Sequence, residues 1–228
     1  MDIIVFLVLS IVSMLTIYCL YKIFEKRGLY FSLVIMSLIT YIFSFKILTV
    51  LTISINLNIV TMVSRFTTIY ILINKYGLKE SKNIILLTLY TNVISGILLL
   101  LTNYYIPAVT EVITISIEGV FLYNYKLLIA YPLIMLLTEW LIIKLFTFVK
   151  TLSNDIYINT ILIYIIIGLL PTLIFYLVGY INIISIKSTI FLGVTTFLIG
   201  LLFTGMNTAI IKLINSRKEV DKWETSLF

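Results

Sequence analysis

Leu133 to Phe146, LIMLLTEWLIIKLF, is a run of hydrocarbon side chains interrupted by one carboxylate, Glu139. Such a run belongs either to a soluble core or to a bilayer, and the composition of the whole chain decides between them. Of 228 residues, 61% are hydrophobic and 11% charged, and the mean hydropathy is +1.17. A soluble domain carries roughly 25% charged residues. The chain therefore reads as an all-α integral membrane protein, and the quoted run as part of a membrane-spanning helix. Each span needs about 20 mostly apolar residues, so the length accommodates about seven and leaves no room for a separate soluble domain. Residues 1–228 read as a single transmembrane domain.

Working outward, apolar runs between polar breaks predict helices near 2–23, 29–50, 58–75, 83–104, 123–148, 157–181 and 187–212, followed by a tail at 213–228. The first five residues, MDIIV, lack the basic opening of a signal peptide, so the first run is expected to remain as a span. Twelve of the sixteen basic residues, from Lys22, Lys26 and Arg27 to Lys212, Arg217, Lys218 and Lys222, fall on one side of this arrangement. The positive-inside rule then puts the N-terminus outside and the tail in the cytoplasm of a multi-pass cell-membrane protein. The net charge of +6 is accounted for by anionic lipid headgroups, with no need of nucleic acid.

Two connections alternate apolar and polar residues: VLTISINLN (50–58) and VITISIEG (112–119). Both read as short strands at the outer interface, paired with each other as a lid or standing as two unrelated loops.

The polar residues inside the spans carry the functional information. Lys46 and Lys126 each lie about a turn from a helix end, where the alkyl stem can lead the ammonium to the headgroups. Arg65 and Glu139 lie half-way along their helices and have no such exit. An unpaired charge at the bilayer centre costs at least about 2.5 kcal/mol, so pairing between them is expected, either as an interhelical clamp or as the lining of a polar cavity. Pro132 and Pro171 each remove an amide donor, near Leu128 and Ile167, at similar depth in neighbouring helices. Kinks there expose carbonyls of the kind that line transporter sites, or simply shape packing. Gly193, Gly200, Thr204 and Asn207 form a small-residue seam on the last helix.

No histidine occurs, and Cys19 is the sole cysteine. Neither a histidine-based nucleophile, nor an acidic cluster for magnesium, nor an internal disulfide can be assembled. An enzyme, a bound metal and a cofactor are not expected.

Read in order, FSFKI (43–47), INKYGLKESKNIIL (73–86), YKLLIAYPLIMLLTEWLIIKLF (125–146) and PTLIFYLVGYI (171–181) resemble the queuosine precursor transporter family, also called vitamin-uptake-transporter-like. The resemblance covers six of the seven helices and leaves the first as an addition. It implies import of a deazaguanine-type precursor or another small polar or heterocyclic solute. The family's acidic and amide residues would stand at Tyr70, Asn74, Met135, Thr138 and Pro171, and none is present. Glu139, one position past Thr138, is then a shifted substitute.

The candidate substrate-binding set is Arg65, Tyr70, Tyr131, Thr138, Glu139 and Trp140, with alternating access at Pro132 and Pro171. The expected partners are the lipid bilayer, a small-molecule substrate and a homo-oligomer or membrane-complex partner. Two other readings stay open. One is the substrate-binding subunit of an energy-coupling-factor transporter, against which stands the scarcity of alanine (Ala108, Ala130, Ala209). The other is a non-transporting accessory subunit.

Overall fold

The structure, a computed structural model, describes residues 2–44, 47–50, 53–102, 111–153, 155–180 and 185–216. Six helices and one hairpin follow in the order α1 (Asp2–Phe43), β1 (Ile47–Val50), β2 (Ile53–Asn56), α2 (Asn58–Tyr76), α3 (Ser81–Thr102), α4 (Glu111–Leu152), α5 (Ile156–Tyr180) and α6 (Ile186–Asn215). Among the described residues, five helical stretches are long and apolar enough to cross a membrane: Ile4–Phe43, Leu78–Leu98, Tyr131–Leu152, Ile156–Tyr180 and Ile186–Asn215. Their outward faces carry Leu7, Ile11 and Leu15 on α1 and Leu198 and Leu202 on α6, all exposed. Such surfaces suit a multi-pass membrane protein, because lipid is as apolar as these side chains.

α1 joins the two segments expected at 2–23 and 29–50. It is not straight. Glu25 has φ 50° and ψ −125°, and a Cβ on Gly28 would lie 2.0 Å from the carbonyl oxygen of Leu20. Eight residues of straight helix span about 12 Å, so that contact requires the chain to turn sharply back at Glu25. Glycine at 28 is what lets the two backbones approach so closely.

α2 has a different role. It carries Asn58, Thr61, Ser64, Arg65, Thr67 and Thr68, which make it the most polar of the long helices, yet all of these are buried. The hydroxyls bond back along the helix: Ser64 to Val60 at 3.0 Å, Thr67 to Val63 at 2.9 Å and Thr68 to Ser64 at 2.9 Å. With these donors satisfied locally, a polar helix can stand at the centre of the bundle. α1, α4 and α6 pack around it.

The connection before α2 is a β-hairpin. The first alternating stretch supplies β2, which pairs antiparallel with β1, Ile47 opposite Asn56 and Val50 opposite Ile53. The helix expected to run to residue 50 thus ends at Phe43. The second alternating stretch, 112–119, is helical and part of α4. This overturns the lid of two distant strands: β-branched residues fit either state, and a helix satisfies its backbone within the segment, with no partner needed. Asn56 secures the hairpin. Its amide nitrogen donates to the Ser44 carbonyl at 2.8 Å and to the Tyr180 hydroxyl at 3.3 Å, while its oxygen accepts from the Asn58 amide at 3.0 Å. Tyr180 also donates to the Ser44 carbonyl at 2.8 Å, so the ends of α1, α2 and α5 meet at one point.

At the opposite end of α2, Lys75 donates to the hydroxyl of Tyr21, just before the turn in α1, and, at 3.3 Å, to the Ile214 carbonyl, tying α1, α2 and α6 together. Nearby, Glu80 accepts from Lys26 at 2.9 Å and from Tyr30.

Candidate functional site

Arg65 on α2 and Glu139 on α4 meet. Each side chain is 3% exposed, and Arg65 Nη2 donates to Glu139 Oε1. The second carboxylate oxygen accepts from the Thr88 hydroxyl on α3, and Arg65 Nη1 donates to the Tyr131 hydroxyl at 3.2 Å. Three helices therefore converge on one ion pair. Arg65 Nε has no hydrogen-bond partner among the described residues. In a low-dielectric interior, a charge pair of this kind is tolerated because each charge meets its opposite and both carboxylate oxygens accept a hydrogen bond.

A cavity of about 30 Å³ opens beside the pair, lined by Arg65, Glu139, Thr138, Met62, Met135 and Tyr164, with Phe66, Ile69, Ile142, Ile167 and Gly168 completing the wall. A single water needs about 10–15 Å³, so the space suits one or two waters in this conformation. Thr138 presents its methyl and backbone side, since its hydroxyl bonds back to the Ile134 carbonyl at 2.7 Å. Tyr131 is fully buried behind the arginine. Its ring meets Tyr41 edge-on at 4.7 Å and Phe175 at 6.1 Å, so both its position and its hydroxyl are held.

Two of the expected residues lie elsewhere. Trp140 is 48% exposed and faces away from the cavity, with Lys144 Nζ 5.8 Å from its ring. One residue past Glu139 is about 100° further round the helix. Tyr70 is buried, but in an aromatic group with Phe146 (5.2 Å) and Phe66 (6.4 Å), because five residues past Arg65 places it well off the cavity face. Both helices run on through Pro132 and Pro171. Lys46 and Lys126 lie outside the residues whose side chains are described.

A second, smaller cavity of about 10 Å³ lies beyond Met62 and Met135, which line both spaces. Its wall includes Asn58, Pro171, Thr172, Tyr176 and Thr196. The seam expected on α6 packs where anticipated. Gly193, Gly200, Thr204 and Asn207 are all buried, and a Cβ on Gly200 would lie 1.8 Å from the Tyr164 hydroxyl, so glycine there leaves room for a tyrosine that lines the first cavity.

Sequence reasoning missed Thr88, Met62, Tyr164, Thr172, Tyr176 and Thr196. Threonine, tyrosine and methionine are too common in membrane helices to stand out, and only the rotation of each helix reveals which of them face inward.

Comparison with known protein families, curated proteins and solved structures returned no match to this chain.

Proposed function

We propose that the chain is a multi-pass membrane transporter for a small polar solute, which passes the Arg65–Glu139 pair between α2, α3, α4 and α5. The observation that carries this reading is a fully buried, three-helix ion pair lining an internal cavity. A clamp meant only for packing would not need to border open space, whereas ionisable groups within a membrane typically mark solute or ion pathways. The sharp turn at Glu25 supports reading α1 as two spans, and counting central α2 and the other four helices with them gives the seven of this reading. The distribution of lysine and arginine places the N-terminus outside and the tail in the cytoplasm. The hairpin is anchored by Asn56 at one end of α2 and Lys75 is anchored at the other, and the cavity of about 30 Å³ is too small for a solute in this conformation. The resemblance to the queuosine precursor transporter family implies a queuosine or deazaguanine precursor as the solute class.

A second reading, a non-transporting accessory subunit, draws on the small size and largely apolar wall of the same cavity. Uptake separates the two. In a host deficient in queuosine precursor import, the native chain is expected to restore accumulation, and Glu139→Gln and Arg65→Met are expected to abolish it. Equal import by all three would sink the role of the charge pair. Import by none would sink the solute assignment and favour the accessory reading.

A further inference from the structure

The second cavity is a built site. Thr172, Tyr176 and Thr196, each at most 3% exposed, line it, and none of their hydroxyls has a hydrogen-bond partner among the described residues. The Tyr176 and Thr196 hydroxyls lie near one another. Among the described threonines, Thr172 and Thr196 stand apart in this. Buried threonines elsewhere satisfy themselves on the carbonyl four residues back, as Thr160 does on Ile156 at 2.8 Å and Thr204 on Gly200 at 2.8 Å. Three buried hydroxyls with unused bonding capacity belong to residues that line one space, which at about 10 Å³ has room for about one water in this conformation.

Among the described residues, only Met62 and Met135 line both cavities. Methionine is unbranched, has three rotatable bonds and adapts to irregular space, so rotation of the two side chains can join the compartments. The joined space would hold no net charge. Arg65 and Glu139 cancel, and Asn58, Thr138, Thr172, Tyr176 and Thr196 are neutral. A ligand bearing a net charge in the hydroxyl compartment would find no counter-ion there.

We infer that the Thr172–Tyr176–Thr196 compartment is a second solute subsite that takes an uncharged hydrogen-bonding group, and that Met62 and Met135 form the partition between it and the Arg65–Glu139 cavity. The inference rests on the transport reading for its role but is testable without transport. In full-length protein carrying Cys19→Ser, which removes the native exposed thiol, a Thr196→Cys substitution places a reporter in the compartment. The probes are three methanethiosulfonates that form a mixed disulfide with the thiol and release methanesulfinate: neutral hydroxyethyl, anionic sulfonatoethyl and cationic trimethylammonioethyl.

The neutral reagent is expected to label Thr196→Cys, and the two charged ones are not. Adding Met62→Ala should speed neutral labelling about tenfold or more, because an open state populated at about 10% or less becomes the major one. Equal labelling by a charged reagent overturns the neutral subsite. Labelling unaffected by Met62→Ala overturns the partition. An inert thiol in both backgrounds overturns the compartment altogether, and Thr172→Cys serves as reporter if Thr196→Cys does not fold. A chain that imports solute yet fails these tests refutes the subsite alone. One that passes them without importing refutes transport and leaves the compartment.

Discussion

Arg65 and Glu139 are held by what each would lose without the other. Removing one partner of a buried pair leaves an uncompensated charge and costs about 3–5 kcal/mol, whereas replacing both by apolar side chains of similar volume is often neutral. Arg65→Met and Glu139→Leu, each with its partner in place, should therefore lower unfolding stability in detergent by about that amount. The double substitution should recover most of the loss, so the double-mutant cycle should depart from additivity by more than either single loss. Simple additivity would show that the two side chains do not act as a pair. Their need for each other was legible from their positions in the sequence, since neither could reach a headgroup. Thr88 and Tyr131 as further partners were not legible as such, because a hydroxyl finds its partner only once helix rotation is set.

At the scale of elements, the turn in α1 and the hairpin before α2 yield two predictions. Glu25 occupies a backbone region that glycine adopts freely and other residues do not, at a cost of about 1–3 kcal/mol. Glu25→Gly should be neutral or stabilising, while Gly28→Ala, whose Cβ would meet the Leu20 carbonyl, should destabilise by about 1–3 kcal/mol or more. Thermal unfolding of the two variants would read this directly, and the opposite order would show that the turn is not as described. In the hairpin, Asn56→Ala removes two donated bonds and one accepted bond from a buried site. The expected loss is about 1–3 kcal/mol for the groups left unpaired, with faster amide exchange across β1 and β2. Unchanged exchange would show that Asn56 does not anchor the strands. The alternating stretch at 50–58 signalled a strand, but the similar one at 112–119 is helical, and short β-branched runs hold nothing that separates the two states.

For the whole molecule, the seven-span reading predicts sidedness. With Cys19→Ser as background, a cysteine at Lys79, beside Glu80 and Lys26, should react with a membrane-impermeant thiol reagent from the cytoplasmic face only. Labelling from outside in intact cells would invert the topology. By itself the sequence revealed an apolar chain that suits a membrane, the approximate position of most helices and the two charges that had to find company, because hydropathy and the expense of a lone intramembrane charge act on residues one at a time. Only the tertiary structure decided that Trp140 faces outward and Tyr70 lies off the site. It also turned α1 back on itself and gathered Met62, Met135, Thr172, Tyr176 and Thr196 around two neighbouring cavities. Those outcomes depend on how each helix is rotated against its neighbours, a property of packed surfaces that no single stretch of chain encodes.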